Sequence, residues 1–236
     1  MNNSSDAKPS PFDDYALQYD AALTIGLSAS GEGKEFFSRG RVNWLAPRLA
    51  KLRVTPGQIL DFGCGTGGST PCLLALPGAR QLLGVDVSAR SVDVANQTHG
   101  SDRARFELLG RGRPAESVDL AYCNGVFHHI PPKQRRDAMA YIYRCVRPGG
   151  ILALWENNGM NPGTRYVMSR IPFDRNAITL TARSARQLVR ASGFRVVSTN
   201  FLFIFPRWLG WLRSFEPAVS GLPLGAQYVV LCRKPS

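Results

Sequence analysis

The residues best suited to chemistry fall in four short stretches of the chain. The first is Ile59-Leu60-Asp61-Phe62 followed by Gly63-Cys64-Gly65-Thr66-Gly67-Gly68-Ser69-Thr70, an apolar run that stops at an acid and breaks into glycines and small residues. Such a turn lets a ligand approach bare backbone. In the second, Asp86-Val87-Ser88, an acid closes another apolar run. Asn124-Gly125-Val126-Phe127-His128-His129 and Glu156-Asn157-Asn158 are the third and fourth. Together they offer carboxylates for hydroxyl or ammonium groups, amides, and two imidazoles able to move protons near neutral pH.

Three ligands fit a glycine turn of this kind: a dinucleotide, a nucleotide phosphate, or an adenosyl group without phosphate. Gly63, Gly65 and Gly68 satisfy G-x-G-x-x-G, and Asp86 lies eighteen positions beyond Gly68, where a dinucleotide fold places its ribose-binding acid. Asp61 argues against that ligand. A pyrophosphate over the helix start would face a fixed carboxylate a few ångströms away and be repelled. S-adenosylmethionine carries a sulfonium, an ammonium and no phosphate, so the same acid attracts it. A P-loop is excluded because no Lys-Ser or Lys-Thr follows the glycines.

The elements that must position these groups read as strand–helix repeats from residue 57 onward. Strands are expected at 58–62, 81–87, 104–109, 118–124 and 150–156, with Ser88 capping the helix after the second. The helix PPKQRRDAMAYIYRCV precedes a stop and turn at Arg147-Pro148-Gly149-Gly150. Beyond a Pro- and Gly-containing segment at 157–180 come the helix SARQLVRASGF and two long apolar strands, 194–205 and 225–235, expected as a terminal antiparallel pair. The expected fold class is α/β, a Rossmann-like doubly wound sheet. Residues 1–10 read as a frayed tail and 11–54 as an N-terminal helical cap or lid of two helices, with the main domain at 55–236. Within that domain, 206–224 reads as an apolar insertion; its Trp208, Leu209, Trp211, Leu212 and Phe215 fall along one helical side.

At 236 residues with 44% hydrophobic content, one domain with a full core is expected. No signal peptide and no run of membrane-spanning length is evident, and five scattered cysteines fit neither a disulfide framework nor a zinc site, so a cytoplasmic protein is expected. The net charge of +12 raises nucleic acid or anionic membrane as partners, but only five of the 29 basic residues are lysine and the arginines are spread along the chain. A compositional bias toward arginine accounts for the charge as well as a binding surface does.

The chain resembles the class I S-adenosylmethionine-dependent methyltransferases, and its stretch WENNGMNPGTRYVMSRIPFD is similar to a segment of bacterial members of the small-molecule, biosynthetic type that act on small molecules, lipid or sugar intermediates. The resemblance rests on four motifs in order: Asp61-Phe62-Gly63-Cys64-Gly65-Thr66-Gly67, the second-strand acid Asp86, the fourth-strand segment SVDLAYCNGVFHHI, and VRPGGILAL at the turn into the fifth strand. It covers roughly residues 55–235. It implies a seven-stranded sheet with a reversed terminal hairpin, S-adenosyl-L-methionine as cofactor, and cofactor contacts from Asp61, Gly63, Gly65, Thr66, Asp86, Val87, Asn124 and Gly125. The chain departs from the family after strand three, where an adenine-binding acid is often found and LLGRGRPAES stands instead.

For the acceptor, His129 and Glu156 are the candidate catalytic groups, and Tyr15, Tyr19, His128 and Asn157 the candidate substrate contacts. No metal is expected, because two adjacent histidines lack a third ligand at recognisable spacing. The expected partner is a small-molecule, lipid-like or sugar intermediate methylated on O, N or C. Peripheral membrane contact or a homodimer would employ the 206–224 insertion. A nucleic-acid methyltransferase is the rival, but the Asn/Asp-Pro-Pro-aromatic tetrad of amino-methylating members is replaced by Asn124-Gly125-Val126-Phe127, so no nucleic-acid partner is expected. A non-catalytic cofactor-binding scaffold is the other. Calorimetry is expected to show binding of S-adenosylhomocysteine and none of NAD; NAD binding without response to S-adenosylhomocysteine would overturn the argument from Asp61.

Overall fold

The computed structural model describes residue 13 and residues 25–110, 116–175 and 177–236. Seven strands form one sheet: β1 (Gln58–Phe62), β2 (Gln81–Asp86), β3 (Ala104–Leu108), β4 (Val118–Asn124), β5 (Val146–Asn157), β6 (Arg195–Leu202) and β7 (Gln227–Arg233), in the order β3-β2-β1-β4-β5-β7-β6. The first five run parallel, and β7 lies antiparallel between β5 and β6. The expected doubly wound sheet and reversed terminal pair are both present. Strand order reverses between β1 and β4, which are direct neighbours, so their carboxyl ends at Phe62 and Asn124 open the crevice in which such sheets take ligands.

The central strands are apolar nearly throughout because helices cover both faces. All but the last residue of β4 is buried, as are seven consecutive residues of β5, Gly150 to Glu156. Alternate residues serve opposite faces. Ile59, Leu120, Tyr122, Ile151 and Trp155 enter one core cluster, and Leu60, Phe62, Ala121, Cys123, Leu152 and Leu154 the other.

Three elements depart from the sequence expectation. Helix α1 (Lys34–Lys51) buries Phe37, Arg41, Val42, Trp44, Leu45 and Leu49, and its Trp44 ring meets Trp155 of β5 edge-on at 5.3 Å. The expected lid at 11–54 therefore divides: its second helix is part of the sheet's packing, while Tyr15 and Tyr19 lie outside the described residues. The turn expected at Arg147–Gly150 is instead a bulge inside β5, where the register with β4 jumps from Val118↔Val146 to Leu120↔Ile151 and Gly149 takes a positive φ of 76°. The segment 157–180 contains a helix, Pro162–Arg170, whose start follows a legible rule: Asn161 accepts from the Thr164 N–H and Pro162 fills the first position.

The 206–224 insertion is a short 3-10 stretch, Arg207–Phe215, kinked at Leu209, followed by one α-turn, Glu216–Val219. Trp208 and Trp211, three apart and so on one side of a 3-10 turn, are 75% and 73% exposed, and Phe215 is 60% exposed. Leu209 and Leu212 are half-buried. Among the described residues, no helix is long and apolar enough to cross a membrane.

Trp44→Ala is expected to destabilise the protein by about 3–5 kcal/mol, the usual cost of truncating a buried tryptophan. A urea denaturation curve measures it. An unchanged midpoint would show that residues 34–51 form a separable lid after all.

Candidate functional site

A cavity of about 600 Å³ lies over the carboxyl ends of β1, β4 and β5. Its floor is the glycine turn that leaves β1. Gly63 and Gly65 both have positive φ, 72° and 53°, for different reasons. A Cβ on Gly63 would lie 2.3 Å from Val126 Cγ2, so close packing demands glycine there. A Cβ on Gly65 would meet nothing within 4 Å, and this residue lines the cavity, so its bare backbone faces open space. The turn is held from outside by Asp86, whose carboxylate accepts from the Gly65 N–H at 2.8 Å and the Ser88 N–H at 2.9 Å. Asp86 and Val87 do not line the cavity; Asp61, Gly63, Gly65, Thr66, Asn124 and Gly125 do.

Asp61 is buried at 3% exposure, and its Oδ2 finds no hydrogen-bond partner among the described residues. Asn124 Oδ1, at the end of the neighbouring strand, is likewise unpartnered there. Two buried acceptors side by side on a cavity wall suit a ligand rich in donors or positive charge. Burial, and next the Asp86 carboxylate, push the Asp61 carboxyl up to about 7, with Arg41 pulling in the opposite direction. Arg41 is a site residue that sequence reasoning missed. It reaches the cavity from α1 and donates to Tyr122 Oη at 2.8 Å, Gln227 Oε1 at 3.0 Å and Ser38 Oγ at 3.2 Å. Its signal was a lone charge between Phe37 and Leu45 on one apolar helical stripe.

The opposite end of the cavity is built from β5 outward. Asn124 pairs with Trp155, so Glu156 stands beside the turn that follows β4. Its carboxylate is almost fully buried at 1% exposure; it accepts from the Val126 N–H at 3.1 Å and the Phe127 N–H at 2.7 Å, and meets His128 Nδ1 at 2.6 Å. Glu156 does not itself line the cavity, whereas His128, His129 and Asn157 do. Asp174, at the end of the 3-10 turn Pro172–Asp174, completes the group: its Oδ1 lies 3.4 Å from His128 Nε2 and 3.2 Å from His129 Nε2. No sequence signal marked Asp174, 45 positions beyond His129 in an irregular segment. Burial opposes charge on His128, but Glu156 and then Asp174 outweigh it and hold the imidazolium up to about 10. Burial also works against the Asp174 carboxylate, which the imidazoles of His128 and His129 beside it nevertheless keep below the usual range.

The remaining wall is aromatic. Phe37 and Phe203 meet at 4.9 Å, Phe36 packs against both, and Phe205 and Trp208 continue the wall to the mouth. Gly40 of α1 makes room for Phe203, since a Cβ there would lie 2.6 Å from its ring.

Comparison with known proteins agrees with this geometry. Residues 59–150 match the family described as a methyltransferase domain. The ubiquinone biosynthesis O-methyltransferase of Leptothrix cholodnii is 29% identical over 216 residues, 82% of this chain and 84% of that protein. These matches support a class I S-adenosylmethionine-dependent methyltransferase. A trans-aconitate 2-methyltransferase of Azoarcus is 28% identical over 136 residues, and there the alignment spans 58% of this methyltransferase and 53% of the relative. Among solved structures, the [4+2]-cyclase SpnF superposes with a TM-score of 0.63 at 19% identity, covering 96% of this chain and 97% of that one. A fold shared with a cyclase carries no chemistry of its own, so the acceptor chemistry has to be argued from the site.

S-adenosylmethionine fits the residues present. The unpartnered oxygens of Asp61 and Asn124 suit its cationic amino-acid end, and the open space over Gly65 admits it to the turn. Only the ionised form of Asp61 attracts a cation, and near pH 7 the ligand-free protein holds it part protonated. Affinity for S-adenosylmethionine is therefore expected to fall as pH drops below about 7, approaching tenfold per unit, with proton release on binding. Calorimetry in buffers of different ionisation enthalpy measures both effects. Asp61→Asn should bind more weakly and with a flat profile; an unaltered profile would remove Asp61 from the binding site.

Proposed function

We propose that this methyltransferase carries a methyl group from S-adenosylmethionine to an oxygen or nitrogen of a small acceptor with a substantial apolar body. One observation carries the reading. A single cavity joins the glycine turn, Asp61 and Asn124 at one end to His129 and Asp174 at the other, with an aromatic wall between. Asp61 and Asn124 would hold the ammonium of the cofactor's amino-acid end, and Arg41, already turned into the cavity, its carboxylate. Bound there, S-adenosylmethionine supplies a methyl group already activated by its sulfonium, so alignment in a water-poor pocket is the protein's main task.

His129, with Asp174 beside it, would meet the acceptor's O–H or N–H and draw its proton away as the new bond forms, while the His128 imidazolium helps to hold Asp174 in place. His129 is the less buried of the two histidines and the one placed to face the acceptor. Glu156 fits a positioning role, because its carboxylate is taken up by the turn and by His128 Nδ1. Phe36, Phe37 and Phe203 would pack the acceptor's body. Trp208, which lines the cavity, and Trp211 three residues on are both exposed, and they favour an apolar or lipid-like acceptor, taken from a membrane surface or from solution. The two named relatives, an enzyme of ubiquinone biosynthesis and one named for trans-aconitate, both have small-molecule associations in keeping with this class.

Labelled methyl transfer to a panel of phenols, carboxylates and amines tests the reading. Transfer to at least one apolar member is expected, with His129→Ala lowering kcat by about 10²–10⁴-fold, the range for losing a general base, while cofactor affinity is kept. Transfer to RNA alone would favour a nucleic-acid acceptor. Cofactor binding with no transfer to any class would favour a scaffold.

A further inference from the structure

We propose that His128, His129 and Asp174 form a binding site for a divalent transition-metal ion of the zinc class. The three side chains each offer one ligand atom, all within 4.8 Å of one another. A tetrahedral ion with bonds of about 2.0–2.2 Å to nitrogen and oxygen sets its ligands about 3.3–3.5 Å apart. The contacts from Asp174 Oδ1 to the two Nε2 atoms, 3.4 Å and 3.2 Å, match that edge closely.

Asp174 Oδ1 supplies an independent observation. It is buried and makes no well-formed hydrogen bond among the described residues, although two ring nitrogens stand beside it. A carboxylate oxygen that has neighbours but no aligned donor is placed as a ligand is placed, equidistant from groups that share a centre.

The outer support for such a site is also built. Glu156 accepts two backbone N–H bonds, so the third contact, with His128, requires the hydrogen on Nδ1. With Nδ1–H held by Glu156, Nε2 is the nitrogen of His128 that faces Asp174, where a cation would take the place of its proton. A carboxylate behind the distal nitrogen of a ligating histidine is the usual arrangement around bound zinc, where it fixes the ring and raises its basicity. Two imidazoles and one carboxylate select a borderline ion; magnesium and calcium prefer oxygen donors throughout. Three protein ligands beside a cavity leave a coordination position open to that cavity. The inference deepens the proposed acceptor site, on which it rests for its role and not for its geometry: a cation there would hold the acceptor's oxygen through the open position.

Co²⁺ chloride is the probe, because it takes the sites that Zn²⁺ takes and its visible absorption reports coordination number. Protein freed of metal by a chelator is expected to develop a four- or five-coordinate Co²⁺ spectrum that saturates at about one equivalent and is bleached by Zn²⁺. His129→Ala and Asp174→Asn are each expected to weaken Co²⁺ binding at least about tenfold, while affinity for S-adenosylhomocysteine on the same samples changes less than about twofold. His129 is the less buried ligand, so the comparison stands on it if Asp174→Asn fails to fold. No such spectrum in the unaltered protein, or equal Co²⁺ affinity in the variants, overturns the site. An intact Co²⁺ spectrum in protein that binds no S-adenosylhomocysteine supports the site and overturns the methyl-transfer reading instead.

Discussion

Glu156 sits buried at the carboxyl end of β5, and its carboxylate ties three groups of the neighbouring turn: the Val126 N–H, the Phe127 N–H and His128 Nδ1. Each donor left unpaired in such a place costs about 1–3 kcal/mol, so the turn has little freedom to move while the acid is present. Both ends of the cavity depend on that constraint. On one side the turn places Asn124 and Gly125 against the glycine loop, with Val126 packed where a Cβ on Gly63 would have to go. On the other it aims His128 and His129 at Asp174.

The second balance is one of charge. Asp61 and Asp86 are both held in partly or fully desolvated positions near the same turn, which raises both carboxyl groups, and Arg41 is the cation set against Asp61. Asp86 spends its oxygens on backbone N–H groups and so shapes the turn, whereas Asp61 keeps one oxygen without a partner among the described residues, facing the cavity it lines. Two acids at corresponding strand ends thus do different work. A fixed negative charge within a low-dielectric crevice is costly without a cation and favourable with one, which is why this turn suits a sulfonium and ammonium ligand and not a pyrophosphate.

Helix α1 links that crevice to the core. Its apolar side, from Phe37 to Leu49, holds the helix on the sheet and thereby delivers Arg41 to the cavity. Phe36 and Phe37 form part of the cavity's aromatic wall from the same helix, and the contact of Phe37 with Phe203 joins it to the chain beyond β6. Stability and specificity are coupled here, because the helix that packs against Trp155 is also the one that lines the cavity.

Local chemistry was enough to read several features from the chain alone. Apolar runs ending at Asp61 and Asp86, the glycine spacing, the Ser88 cap, and two long apolar stretches at the end dictated the parallel sheet, the glycine turn and the reversed terminal pair, because each depends on neighbours within a few residues. Asp174 escaped that reading because spacing along the chain says nothing of it: it reaches the histidines only because the segment after β5 folds back over the turn after β4. Likewise, the sequence marked Glu156 as a group at the site but not that its oxygens would be consumed by backbone N–H groups, and it placed α1 in a lid although its apolar stripe belongs to the sheet. Which apolar stripe meets which surface, and which polar atoms remain without partners, are properties of long-range packing. The sequence by itself determined the fold class and the glycine turn at the end of β1; only the tertiary structure decided how Arg41, Glu156, His128, His129 and Asp174 are brought together, since elements distant in the chain supply them.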